Sequence, residues 1–335
     1  MEHYIGLDVS LKETFRCVID KNGKILREEN VESEAEIIGR HLEKKGYKKD
    51  SVLGIESSQL SIALSKGLRE QGFNVICVDA RHMAKALSAR INKNDAKGIA
   101  TMVRAGFYKK VKIKSDVNCE LKVLLVSRRQ LVRSRQQIMG TIRGLLKIYG
   151  IKLGGRSKAF GKQVELIMDK LSEVVQASIR ELLSSLVSVE TSLKKMDSLI
   201  EEHAIEDEDC KLLMTIPGVG KVTAVTYAIS LDEAARFESS ETVGAYMGLT
   251  PRQYSSGEIN RHGGISKMGP QECRSMLYEA AQSLLIVSKK HSKLRAWGMK
   301  IAKTKGNKKA IVAVARKLAV IMHKMLVARS ELKYV

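Results

Sequence analysis

The sequence is poor in proline, aromatic rings and negative charge. Its 335 residues include three prolines and one tryptophan, and Phe, Trp and Tyr together make up 4%. So few rings argue against aromatic stacking as the main way of gripping single strands. All three prolines, Pro217, Pro251 and Pro270, lie beyond residue 209, which sets the last part of the chain apart as a loop-rich helical region. The five cysteines (Cys17, Cys77, Cys119, Cys210, Cys273) are widely spaced and form no C-x-x-C pair. That excludes a disulfide framework and a structural zinc site and suggests buried thiols in a reducing cytoplasm. No apolar run approaches the roughly 18 residues of a membrane span, and MEHYIGLDVS is not a signal peptide. A cytoplasmic protein with no membrane partner is expected.

The counterpart of the missing acid is a net charge of +21. An excess of this size implies a polyanionic partner, and nucleic acid is the first candidate. The charge is also clustered. Residues 101–160 hold 15 Lys or Arg against 2 acidic residues, and residues 289–317 hold 11 with no acid. A merely solvated surface mixes its signs. Hydrophobic content of 44% is that of an ordinary globular chain, long enough for two or three cores.

Residues 3–30 read as three strands separated by turns: Tyr4–Val9, Thr14–Ile19 and Ile25–Val31, the last two joined through Asn22-Gly23, a hairpin dipeptide. Helical periodicity follows over 33–46. Ser51–Ser57 is a buried-type strand, 59–71 a helix and Phe73–Asp79 another strand. A meander followed by alternating strands and helices describes a mixed α/β layer fold, the order of a ribonuclease-H-like domain. Residues 116–148 form one basic amphipathic helix. Over 163–203 a heptad pattern places Ile179, Leu186, Leu193 and Ile200 on one seam and Val175, Leu182, Val189 and Met196 on the other. This predicts a long coiled-coil-like helix, paired within the chain or across a dimer. The acidic run 201–209 marks a boundary. The expected domains are 1–115, an α/β metal-binding domain; 116–206, basic helices and a coiled-coil linker; and 207–335, a helical C-terminal domain.

Asp8 and Glu56 stand near the ends of two predicted strands that neighbour each other in such a sheet. Asp95 is a third carboxylate at a helix start, and a helix cap is its structural alternative. Clustered carboxylate oxygens would bind Mg²⁺ or Mn²⁺, which can activate a nucleophile and stabilise phosphodiester charge. An ATP-binding sugar-kinase-like fold also opens with strands like GLDVS. It needs further Gly-rich phosphate loops, and it leaves the charge unexplained.

In the last part of the chain, Pro217-Gly218-Val219-Gly220-Lys221 opens a helix as helix-hairpin-helix modules do. Gly218 and Gly220 would let backbone approach a phosphate, with Lys221 beside them; a plain interhelical turn is the alternative. PRQYSSGEINRHGG (251–264) reads as a flexible polar loop. A serine hydroxyl there can attack a phosphodiester, given cations to steady the phosphorane. Arg252, Arg261, His262 and Lys267 lie near, and Ser256, followed by glycine, has the freer backbone.

These segments resemble the transposases of the insertion-sequence one-ten and eleven-eleven group. The resemblance runs through YIGLDVS, GIES, VICVDARHMAKALSA, NDAKGIATMVRAGFYKKV, TIRGLLKIYGIKLG, TIPGVGKVTA, GAYMGLTPRQYSSGE and the closing WGMKIAKTKGNKKAIVAVARKLAVIMHKML. It implies a RuvC-like Asp-Glu-Asp-Asp domain, a C-terminal serine domain, and a bacterial recombinase of the cytoplasm and nucleoid that moves DNA. It further implies a structured guide RNA in some members, and homo-oligomers, dimers or tetramers, whose long helices pair.

Carried over, Asp8, Glu56 and Asp95 hold the metal and Ser256 is the nucleophile. The basic helices, with Arg128, Arg129, Arg133, Arg135 and Arg143, bind RNA and DNA backbones. The chain departs from the family at one place. Where the motif runs Asn-Lys-Thr-Asp-Arg-Asn-Asp-Ala, it reads Asn92-Lys93-Asn94-Asp95-Ala96, which leaves the tetrad one carboxylate short. An impaired nucleic-acid-binding relative, or a RuvC-like nuclease without serine chemistry, are the competing expectations.

Overall fold

The computed structural model describes residues 3–47, 50–87, 95–154, 159–256, 259–288 and 292–331. The chain divides into two compact units, Met1–Lys114 and Ser115–Val335.

The first unit opens with three antiparallel strands, β1 (Tyr4–Val9), β2 (Glu13–Ile19) and β3 (Ile25–Glu32). Helix α1 (Ala35–Lys44), strand β4 (Val52–Glu56), helix α2 (Ser61–Glu70) and strand β5 (Asn74–Val78) follow. Helices α3 (Ala80–Leu87) and α4 (Asp95–Arg104) complete it. The sheet order is β3-β2-β1-β4-β5, with β1, β4 and β5 parallel. This is the arrangement expected of a ribonuclease-H-like sheet.

Strand alternation divides β1 and β4 into two kinds of face. Ile5, Leu7, Leu53 and Ile55 are fully buried against Ile38 and Leu42 of α1 and Leu64 and Leu68 of α2. The other face carries Gly6 and Gly54 and is covered by α4, whose Ala96, Ile99, Ala100 and Val103 are buried. One exception to an apolar interior is Arg16 of β2, fully buried and ion-paired with Glu29 of β3. Burial pushes its guanidinium pKa down.

The second unit begins with α5 (Asp116–Ile148), started by Ser115, whose Oγ accepts from the Asn118 amide at 3.3 Å. The predicted heptad stretch is interrupted at its start. A short helix α6 (Phe160–Glu165) and a 3₁₀ turn at Met168–Lys170 precede the long helix α7 (Glu173–Glu206). Of the two predicted seams, Ile179, Leu186, Leu193 and Ile200 are the buried one, while Val175, Leu182, Val189 and Met196 are half-buried.

The seam packs within the chain. Ile179 and Leu186 join Ile142 and Leu146 of α5, and Ile200 joins Leu121 and Leu125 of α5 in the C-terminal core. The helix pair therefore shares its core with the residues that follow it.

Those residues form α8 (Glu208–Met214), α9 (Lys221–Leu231) and α10 (Ser240–Tyr246). Strands β6 (Pro251–Ser256) and β7 (Ile259–Ile265) come next, then α11 (Gln271–Gln282), α12 (Lys293–Lys305) and α13 (Asn307–Ala328). Helix α13 is the spine of this core. Its Ala310, Val314, Ala315, Leu318, Ala319 and Met322 are fully buried. His323, also buried, spans Ser240 Oγ at 2.8 Å and the Ala234 carbonyl at 2.9 Å. Among the described residues no helix is long and apolar enough to cross a membrane.

Candidate active site and nucleic-acid interface

Two glycines place the carboxylates. Gly6 of β1 is paired directly with Gly54 of β4, and Leu7 with Ile55. One step further, Asp8 and Glu56 therefore stand side by side on neighbouring parallel strands, about 4.8 Å apart in backbone spacing. Both lie on the glycine face.

That face admits α4 unusually closely. A Cβ on Gly6 would lie 1.9 Å from the Ala96 carbonyl oxygen, and one on Gly54 would lie 2.6 Å from Ile99 Cγ2. With the first turn of α4 seated on β1, Asp95, its first residue, comes close enough to raise the pKa of both acids. For Asp8 burial is the larger cause and the Asp95 charge the second. For Glu56 burial again leads, followed by Asp8 and then Asp95.

Half-buried carboxylates on neighbouring strands offer hard oxygens of the kind that divalent metal ions take. Among the described residues, no group of three or more His, Cys, Asp or Glu side chains is drawn together as a closed metal-binding set. Asn92 and Asn94, where the sequence departs from the family motif, lie outside the described residues. Of the other aspartates that could supply the missing carboxylate, Asp79 stands just before α3, its Oδ1 accepting from the His82 amide at 2.8 Å. Asp116 belongs to the second unit, in the first turn of α5.

The stretch expected to be a flexible loop is a two-stranded antiparallel ribbon. Tyr254 pairs with Arg261, Ser255 with Asn260 and Ser256 with Ile259; residues 257–258 lie outside the described residues. The register shifts between Pro251 and Gln253. Gly263 lies against both Arg252 and Tyr254, and Tyr254 is paired with Arg261, which places these residues on one side of the ribbon. Arg252, Tyr254 and Arg261 are exposed.

The ribbon's base is pinned. Gly248 (φ +69°) would place a Cβ 2.1 Å from the Met268 carbonyl, and Gly269 (φ +101°) would place one 1.9 Å from that of Tyr246. The Ser266 amide donates to Thr250 at 2.8 Å and the Lys267 amide to Gly248 at 3.1 Å. Lys267 itself has φ +55°.

The PGVG step joins α8 to α9. Gly218 (φ +91°) sits tightly on α11, where a Cβ would lie 2.7 Å from the Ala280 carbonyl. Its glycine is thus required by packing. Gly220 is open, with nothing within 4 Å of an added Cβ, and α9 starts there without a side-chain cap. Lys221 is ion-paired with Glu201.

The arginines of α5 also divide. Arg128 pairs with Asp197 at 2.5 Å and Arg129 with Glu272 at 3.7 Å. Arg143 lies 4.7 Å over the Phe160 ring. Arg133 is exposed and Arg135 half-buried, and no ion pair among the described residues uses either.

Sequence reading singled out the carboxylates and missed the glycines beside them. The signal is there twice, as Gly6-Leu7-Asp8 and Gly54-Ile55-Glu56: a glycine two residues before each acid, on the same strand face. Gly248 and Gly269, which pin the ribbon, carry a weaker signal, each lying within three residues of a proline.

Both units match known transposases. A family model described as transposase, of the IS110 DEDD type, matches residues 5–151, and one described as transposase IS116/IS110/IS902 family matches residues 210–296. The transposase for insertion sequence element IS1111A of Coxiella burnetii is 28% identical over 332 residues, covering 96% of this chain and 89% of that protein. A probable family 20 transposase of Pseudomonas aeruginosa is 25% identical, covering 78% and 80%. The pilin gene-inverting protein of Moraxella bovis is 30% identical over 117 residues, 34% of this chain and 36% of that protein. With two transposase models matched in order and a relative aligned over nearly its full length, this chain belongs to the IS110/IS1111 family of insertion-sequence transposases.

Proposed function

We propose that the chain cuts and rejoins DNA with two sets of residues acting in one reaction: the carboxylates Asp8, Glu56 and Asp95, and the hydroxyl of Ser256. The observation that carries this reading is the seating of α4 on Gly6 and Gly54, which brings Asp95 to bear on Asp8 and Glu56. Asp8, Glu56 and Asp95 would hold Mg²⁺ or Mn²⁺. Such an ion supplies charge stabilisation at the phosphate and a lowered pKa for an oxygen nucleophile.

The serine oxygen attacks phosphorus and forms a phosphoserine ester. The bond from phosphorus to the leaving deoxyribose oxygen breaks, and the serine proton ends on that oxygen. Arg252 and Arg261, on the same ribbon, offer charge to the phosphorane. Arg133 and Arg135 of α5, together with Gly220, Lys221 and Lys267, hold nucleic-acid backbone. The partners proposed are element and target DNA, a structured guide RNA from the element's flank, and further copies of the chain.

Incubation of the full chain with element-end DNA and Mg²⁺ or Mn²⁺ tests the reading. Asp8→Ala should abolish metal-dependent cleavage, and Ser256→Ala should abolish a trapped covalent protein–DNA adduct. Cleavage that persists in Ser256→Ala with no adduct in either protein would instead assign a RuvC-like nuclease. The departure from the family motif at residues 92–96, a short deletion before Asn94 or an Asn at 92, favours one second reading, an impaired relative that binds nucleic acid without cutting it. Inserting Thr-Asp-Arg before Asn94 distinguishes the two, because activity that appears only then identifies the impaired form.

A further inference from the structure

Thirteen lysines and arginines lie between residues 280 and 330, with no Asp or Glu among them. Five of the lysines bracket one corner, where α12 ends at Lys305, turns at Gly306 (φ +82°) and restarts as α13 at Asn307. Lys300, Lys303, Lys305, Lys308 and Lys309 are all exposed. No ion pair among the described residues uses any of them. The corner also lies beyond residues 5–151 and 210–296, which the family models match.

The helices make this placement costly at one end. Lys303 and Lys305 stand in the last turn of α12, where a cation offsets the negative end of the helix dipole. Lys308 and Lys309 stand in the first turn of α13, the positive end, with no acid in that turn and a glycine as cap. Every local rule for a helix start asks for the opposite charge there. Local rules are broken where function requires it, and five unpaired cations at one corner repel each other until an anion arrives.

We propose that this α12–α13 corner is a docking surface for the phosphate backbone of duplex DNA. The charges are point-like ammonium groups on two rigid helices, suited to neutralising phosphates and indifferent to base sequence. The nearest indole, Trp297, is half-buried and covered by Lys317 Nζ at 4.5 Å, which leaves it unsuited to stacking on unpaired bases. The proposal rests on the chain acting on DNA, and is independent of Ser256 and the carboxylates.

The test measures binding of the full chain to a random duplex across a salt series, comparing wild type with Lys303→Gln/Lys305→Gln/Lys308→Gln/Lys309→Gln. Each phosphate contact removed should lower the slope of log affinity against log salt by about 0.9, so the fourfold variant should lose about 2 to 4. A second variant, Lys308→Glu/Lys309→Glu, separates docking from folding: it should raise the melting temperature while weakening DNA binding. A wild-type slope retained in the fourfold variant overturns the proposal while leaving DNA binding itself intact. So does a lower melting temperature in the glutamate variant, or a loss confined to single strands or to structured RNA of equal length.

Discussion

Replacing Gly6 with alanine inserts one methyl group between β1 and α4. The new Cβ would lie 1.9 Å from the Ala96 carbonyl oxygen and 2.7 Å from the Ala100 nitrogen, where ordinary contact begins at 3.4 Å. The helix backbone therefore has to retreat by about 1.5 Å, the difference between 3.4 and 1.9 Å. Overpacking costs about 1–3 kcal/mol, and a clash with backbone belongs at the upper end. The smaller entropy of unfolded alanine returns about 0.4–1 kcal/mol, which leaves a loss near 2 kcal/mol. For a unit the size of Met1–Lys114 this lowers the melting temperature by roughly 8–12 °C.

Asp95 rides on the first turn of α4, so the same retreat draws it away from Asp8. Cleavage at limiting metal should fall about tenfold or more, because oxygen sites are tuned by ligand charge count. Calorimetry and metal-titrated cleavage of the full chain read both effects. Gly54→Ala meets only the methyl ends of Ile99 and Val103 and should cost less. A Gly6→Ala protein that melts within about 2 °C of wild type and keeps its metal dependence would refute the seating of α4 as the device that assembles the site.

Three further outcomes follow from the same geometry. Burial first, then the Asp95 charge on Asp8 and the Asp8 and Asp95 charges on Glu56, raise the pKa of both acids, so folding loses stability as pH rises from their unfolded pKa through their folded pKa. Glu56→Gln should remove part of that loss and so raise stability near neutral pH more than at low pH; denaturant melts at pH 4 and pH 7 check the sign. On α5, Arg133→Gln/Arg135→Gln should reduce the salt slope of nucleic-acid binding by about 1 to 2 with little change in stability, whereas Arg128→Gln, which breaks the pair with Asp197, should show mainly in the melt. Gly140→Ala, in α5 with open space around the added methyl, should stabilise by about 0.5–1 kcal/mol.

Much of the first unit was legible because its signals are local. Alternation of Ile5, Leu7 and Val9, and of Leu53 and Ile55, marks strands whatever surrounds them, and the Asn22-Gly23 turn fixes one hairpin. The heptad spacing from Ile179 to Ile200 likewise names the buried seam of α7. The partner of that seam was left open between another chain and this one, because a heptad records that a stripe is covered without recording by what. Arg16 shows the limit from the other side. Its place in β2 alternates with apolar residues, yet only the pairing of β2 with β3 supplies Glu29 to hold a fully buried guanidinium. The PGVG step was ambiguous in the same way, since Gly218 is a glycine because of Ala280, 62 residues later.

The ribbon misled for a more instructive reason. Residues 251–264 are polar and glycine-rich, and in a single sequence that composition is the signature of an irregular loop. An isolated two-stranded ribbon is marginal by itself, so composition alone gives no reason to expect one. What makes it possible lies outside it, in Gly248 and Gly269, whose positive φ angles let the two chain ends cross at contact distance and bring the strands together. The consequence concerns the serine. Attack on a phosphodiester needs the oxygen held within a fraction of an ångström of its line of approach, and a free loop would spend binding energy on ordering itself. A ribbon pinned at its base fixes the backbone of Ser256 beforehand. Gly269→Ala should therefore reduce adduct formation more than it reduces DNA binding, because Arg252 and Arg261, proposed to attract DNA, remain while the register that fixes the backbone at position 256 is lost. Equal losses in both would mean that the ribbon only binds, and that its pinned base serves the fold alone.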